Sequence, residues 1–225
     1  MSTNPSHLAS KIARVRILFM AALALSSALG TITVASAQTV TPPTTPTQIT
    51  PQAGNTAFLV GHAFGSQGYT CLPDRNTGAP SWTVNNARPE ATLFTNLFGQ
   101  PLEIITHFAS INENPKEGIV PPLSGNATWQ SSFDSSRVWA ATVPGGVVVA
   151  GTDPESCPNN GAIPCLLLQS VGNKKGPAGG RLLADTTFVQ RLNTNGGAAP
   201  TTSCSVGQTQ LVPYTADYYF YHQDQ

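Results

Sequence analysis

The sequence predicts an all-β fold, a mostly antiparallel β-sandwich or barrel stapled by disulfides. Three observations carry that expectation. Short apolar and aromatic runs recur along the chain, separated by clusters of Gly, Pro, Asn and Ser, which is the pattern of strands and turns. Past the N-terminal segment no stretch keeps an apolar period near that of a helix. Glycine (20) and proline (19) are abundant and only 10% of residues are charged, the composition of a turn-rich extracellular domain.

The first element is a targeting segment. Lys11, Arg14 and Arg16 precede an apolar run over 17–29, and Ala35-Ser36-Ala37 supplies a small-x-small cleavage site. Residues 1–37 therefore read as a secretory signal peptide cut after Ala37. The run is too short, and too interrupted by Gly30, Thr31 and Thr33, to stay in a bilayer. The product is expected to be secreted or periplasmic, with no membrane contact after cleavage. Residues 38–53 are Thr/Pro-rich and are expected to form an extended linker. Residues 54–222 form a single β-rich domain, long enough to bury a core.

Within that domain residues 58–64 make an apolar strand. Gly65 to Gly68 is expected to break it, Tyr69 resumes it, and Gln67, Tyr69 and Cys71 share one face. Residues 72–79 are a turn region, and 82–84 a short strand. Residues 91–94 and 102–108 flank Phe98-Gly-Gln-Pro101 as a hairpin, with His107 on the face of Glu103 and Ile105. A long polar excursion follows over 109–127, a length that points to function or mobility. It carries the glycosylation sequon Asn126-Ala-Thr128, meaningful in a eukaryotic host. Strands at 128–132 and 136–143 flank a turn at Asp134, and Gly145-Gly146 turns the chain before 147–150. Residues 163–169 are almost continuously apolar, as in a strand covered on both faces. Residues 187–194 alternate. The last strand, 212–221, holds four of the five tyrosines, at 214, 218, 219 and 221.

Charge excludes some functions. Lys plus Arg and Asp plus Glu number 11 each, for a net charge of zero. No basic patch is left to neutralise phosphates, which argues against nucleic acid as a partner. Four cysteines in an exported chain suggest two disulfides, and the sequence permits three pairings. Cys157 and Cys165 bracket a short loop and are placed to join locally, which would leave Cys71 with Cys204. Neither a Cys-x-x-Cys nor a zinc spacing is present, and oxidised cysteines supply no thiol nucleophile. No metal or other cofactor is implied.

The catalytic candidates are sparse. There is no Gly-x-Ser-x-Gly elbow, and Ser66 reads as a turn serine. His62, His107 and His222, with Glu90 and Asp134, would have to converge to make a metal or acid–base site. The plainer reading has His107 and Asp134 hydrogen-bonding the turns and caps of a sheet. Asp217 lies in an apolar strand and needs a partner if buried; Arg191 and Arg137 are the candidates. Trp129, Trp139 and Tyr218, with the other tyrosines, are either core or a stacking surface for a carbohydrate or another small ligand.

Longer motifs carry a resemblance. Gly68-Tyr-Thr-Cys71, Pro89-Glu-Ala91, His107-Phe108, Trp129-Gln-Ser-Ser, Asp134-Ser-Ser-Arg-Val-Trp-Ala140, Gly176-Pro-Ala-Gly-Gly180, Gln190-Arg-Leu-Asn-Thr194, Gly196-Gly-Ala-Ala-Pro200 and Val212 to Tyr221 occur in order. In these the chain resembles the DUF3455 family, secreted bacterial and fungal proteins of unknown function, over nearly all of residues 54–221. The resemblance implies export and brings no activity. Some members carry a malate dehydrogenase label, which these residues do not support. Gly176 to Gly180 lacks the dinucleotide spacing, and no helix follows it. Two departures bear on the bridges. Cys165 stands where the family usually has Trp, and Cys157 looks extra. The resemblance thus implies Cys157 with Cys165, and the family-like Cys71 with Cys204. The function expected is non-enzymatic, binding or structural, outside the cytoplasm. The alternative is an extracellular hydrolase or metal-dependent enzyme using His107, Asp134 and Glu90.

Overall fold

The structure, a computed structural model, describes residues 40–224, and of residues 85–89 the backbone alone. The signal peptide read at 1–37 lies outside the described residues. Eight antiparallel strands follow one another: β1 (Asn55–Pro73), β2 (Pro80–Leu97), β3 (Gln100–Ser110), β4 (Asn126–Ser131), β5 (Arg137–Val148), β6 (Cys165–Lys174), β7 (Phe188–Gly196) and β8 (Thr209–Gln223). Each pairs with the next, and β8 pairs with β1, so the sheet closes into an up-and-down barrel. Of the two expected architectures the barrel is the one present. No α-helix occurs among the described residues, and no helix there is long and apolar enough to cross a membrane.

Side-chain alternation builds two cores from one wall. Inward residues fill the barrel: Ala63, Leu93, Ile105, Trp129, Val138, Leu168, Val189 and, from β8, Tyr214, Ala216, Tyr218 and Phe220. Eight strands leave an interior about wide enough for such side chains. Outward residues of β6, β7 and β8 form a second cluster with Leu167, Phe188, Leu192, Tyr219 and Tyr221. The tyrosines of β8 therefore divide, two facing in and two facing out.

The outer cluster is covered by the Thr/Pro-rich segment. Its Ile49 is 0% exposed and packs on that cluster, in a 3-10 turn over Thr47–Ile49. Gln190 Nε2 donates to the Ile49 carbonyl at 2.6 Å, while Gln190 Oε1 accepts from the Tyr221 hydroxyl at 2.6 Å. An extended spacer was expected here; residues 40–50 instead lie on the barrel. Proline-rich backbone needs no ladder of its own, and one buried isoleucine anchors it.

Glycine also misleads over β1. The break expected at Gly65 is absent, and β1 runs through it. A Cβ at Gly65 would lie 2.1 Å from the Glu90 carbonyl oxygen and 2.5 Å from Ala91 Cβ, so glycine serves close strand approach there. Likewise Gly145 and Gly146 lie inside β5, where the register with β6 shifts between Thr142 and Val147, and form an irregularity rather than a turn. The hairpin between β2 and β3 does turn at Phe98-Gly99, with φ of 52° and 81°.

Disulfides join Cys71 to Cys204 and Cys157 to Cys165. Two bridges point to a compartment outside the cytoplasm.

Candidate functional site

Three of the residues singled out in the sequence meet inside the barrel. His107 stacks on Trp129 with ring centroids 4.2 Å apart and planes 5° from parallel, and Tyr218 tilts against His107 at 5.2 Å. Trp129 and Tyr218 are each 1% exposed. The β1 positions flanking this level, Gly61, Ala63 and Gly65, pair with Tyr218, Ala216 and Tyr214 and leave room for the tyrosine rings. These rings are core, and they offer no surface on which a sugar could stack.

His107 Nδ1 donates to the Thr128 carbonyl at 2.8 Å, which fixes a neutral tautomer. Burial drives the imidazole pKa from 6.5 down to about 3; the Thr128 bond opposes the shift and the Arg191 charge adds to it. Burial likewise pushes the Tyr214 hydroxyl up, and Tyr218 reinforces it through a 3.1 Å hydrogen bond. Arg191 was missed as an interior residue. In β7 it has the same parity as inward Val189, and its guanidinium gives Nε and Nη2 to the Pro164 carbonyl at 3.1 and 2.8 Å. A charged residue at core parity was the signal.

Arg191 is therefore not the partner of Asp217, and Arg137 bonds Gln130 and Glu113 instead. Asp217 faces outward. Its Oδ1 lies 2.6 Å from His62 Nδ1, and its Oδ2 accepts from Asn193 Nδ2 at 2.8 Å.

Trp139 is 0% exposed and lies on the face opposite Val138 and Ala140. Its Nε1 donates to Ser110 Oγ at 2.9 Å. The long excursion after β3 is pinned to the wall nearby: Pro115 bridges to Gly172, Asn112 Nδ2 donates to the Val171 carbonyl, and Glu113 joins Arg137 and Lys174.

Asp134 does structural work at the β4–β5 turn. Its carboxylate accepts from the backbone N–H of Leu182 (2.9 Å) and of Ser136 (3.0 Å) and from the Ser136 hydroxyl (2.7 Å). Burial alone would raise its pKa, but these bonds and Ser131 overcome it and hold the carboxyl at about 2. Glu90 and His107 border one surface depression over β2 and β3, but Asp134 does not join them. Ala91 faces the barrel interior, so its neighbour Glu90 faces out, and Asp134 sits in the turn between two strands. Among the described residues no three His, Cys, Asp or Glu are placed to hold a metal ion.

The loop that Asp134 anchors forms one wall of a cleft of about 580 Å³ at the end of the barrel where β1 begins and β8 ends. Phe58 and Leu182 give it apolar surface; Arg181, Asp185, Thr187, His222 and Gln223 give it polar groups. Arg181 and Asp185 pair at 2.8 Å, and the Phe58 and His222 rings lie 5.3 Å apart. The size is within the range of small-molecule sites. Of its residues only His222 drew attention in the sequence. The others come from three distant segments, and only closure of the barrel assembles them.

A family model described as a protein of unknown function, DUF3455, matches residues 51–222. No curated protein and no solved structure matches the chain.

Proposed function

The chain belongs to the DUF3455 family, proteins of unknown function, and from that premise we propose that it is an exported, non-enzymatic binding protein that takes a small polar ligand, a sugar or sugar-like polyol, at the end of its barrel. The observation that carries this reading is the cleft. An aromatic ring beside planar hydrogen-bonding groups suits a neutral polyol, whose C–H faces pack on the ring and whose hydroxyls bond the rim. Arg181 and Asp185 offer donors and acceptors side by side, and His222 and Gln223 line the same cleft. Export is supported by the N-terminal signal pattern and by the two disulfides.

The test is a thermal-shift and calorimetry panel of soluble oligosaccharides on the oxidised protein. A ligand at a hundredfold excess over its Kd adds about 2.7 kcal/mol of stability. Arg181→Ala and His222→Ala are expected to weaken binding at least tenfold. If no saccharide binds, or if both variants bind as well as wild type, the ligand assignment fails. Export is checked by the mass of the protein recovered outside the cytoplasm, with Gln38 expected as its N-terminus; a full-length chain retained in the cytoplasm contradicts it.

A further inference from the structure

The interior of the barrel holds a fixed positive charge with no negative partner. Arg191 is 8% exposed, and among the described residues no carboxylate lies within ion-pair distance of it. Guanidinium does not discharge by losing its proton, and a buried charge without a counter-charge is costly. Its titratable neighbours offer no relief. Burial holds Tyr69 and Tyr214 as phenols and His107 as a neutral imidazole, and the Arg191 charge reaches all three.

Hydrogen-bond accounting gives a second, independent sign. Two buried side-chain atoms on inward-facing positions have no partner among the described residues, Gln67 Nε2 and Trp129 Nε1, and both are donors. Gln67 is 6% exposed and lies on β1 between Tyr69 and the Gly65–Tyr214 pair. The Tyr214 and Tyr218 hydroxyls bond each other at 3.1 Å, which uses one hydroxyl proton and leaves the other to give. Tyr69 is committed, donating to the Gly197 carbonyl at 2.6 Å. The acceptors of the lining, His107 Nε2 among them, are neutral, so spare donors surround a cation that has no anionic acceptor among the described residues. Buried groups of this kind are normally satisfied.

We propose that the barrel binds a small anion of carboxylate size against Arg191, with Gln67 and the Tyr214–Tyr218 pair donating to it. The surrounding rings occupy most of the interior, which limits the guest to an ion such as formate, acetate or chloride. The site is separate from the barrel-end cleft and stands whether or not that cleft takes a sugar.

The experiment uses the full oxidised protein at constant ionic strength, set with a bulky sulfonate. Formate, acetate and chloride are titrated in turn, read by calorimetry and by the melting temperature. Saturable binding of at least one is expected, and Arg191→Met should weaken it more than tenfold. A wild-type protein with no saturable response to any of the three overturns the proposal, as does an Arg191→Met protein that binds equally well. If that variant does not fold, Gln67→Leu replaces it, with a loss of at least threefold expected and unchanged binding counting against the site. Bromide soaked into crystals of the wild type gives a direct reading: an anomalous peak beside the guanidinium supports the assignment, and an empty interior with peaks at the surface alone refutes it.

Discussion

Acid should destabilise this protein through one histidine, well before its carboxylates titrate. His107 is neutral in the fold, with its pKa lowered from 6.5 to about 3 by burial first and by Arg191 second. In the unfolded chain it titrates near 6.5. Between those values the unfolded state binds a proton that the folded state refuses, so stability falls as pH falls. At pH 4.5 the loss from this group is about 3 kcal/mol, and by pH 3 it is about 4 kcal/mol. Asp134 has a depressed carboxyl at about 2, and its contribution is complete above about pH 5 and is lost progressively below it, so almost none is lost down to pH 4.5. A window of pH 4.5 to 7.5 therefore isolates the histidine. The perturbation is His107→Gln, which keeps a donor for the Thr128 carbonyl and removes the titration. Urea denaturation of both proteins across the window gives two stability curves. His62 and His222 are in both proteins and cancel in the difference. The wild type should lose about 3 kcal/mol more than the variant between pH 7.5 and 4.5. A flat difference curve refutes the reasoning, since His107 would then accept a proton in the fold.

Three further outcomes test the architecture. Removing the Cys71–Cys204 bridge, which spans 133 residues, should cost up to about 5 kcal/mol by the loop-entropy argument, against about 2.5 for the Cys157–Cys165 bridge over 8 residues; paired Cys→Ser variants in urea rank the two. Ile49→Ala should cost about 3 kcal/mol if the Thr/Pro-rich segment is seated on the barrel, and nothing measurable if that segment is free. Gly65→Ala should destabilise by about 3 kcal/mol, since its Cβ would overlap the backbone of β2; a neutral variant would mean that β1 and β2 lie further apart than the structure has them.

What the sequence makes legible here is whatever lies in a local period. The alternation in residues 187–194 and the continuous apolar run at 163–169 identify β7 and β6, because each strand carries its own two-face pattern. The bridges were legible through the two cysteines that depart from the family. Gly65 was not, since a glycine required by close approach looks the same in sequence as one required by a turn. Ile49 was hidden by the composition around it. The barrel-end cleft was hidden for a different reason: Phe58, Arg181 and His222 come together only through the β1–β8 pairing, a contact between the two ends of the domain. Burial of Trp129 and Tyr218 also depends on closure, as an open sheet would expose one of its faces, while Trp139, on the outer face, is bonded to Ser110, where the excursion after β3 begins.

That pairing sets the order in which the molecule can be assembled. A barrel closed by its first and last strands has no complete interior until the final strand arrives, and until then β1 and β7 present open edges that can recruit other chains. Once β8 docks, oxidation of Cys71 and Cys204 clasps one end of the seam, where the Cys71 N–H also bonds the Gln208 carbonyl at 2.7 Å. The other end, where Asn55 meets Gln223, has no such clasp. The seam is therefore bridged covalently at one end and held at the other by hydrogen bonds alone, Thr56 to Asp224 and Asp224 to Gly54 among them, and the barrel should yield first beside Phe58 and His222. A ligand seated in the cleft there would bridge the unclasped edges, and hold shut the end that the disulfide does not.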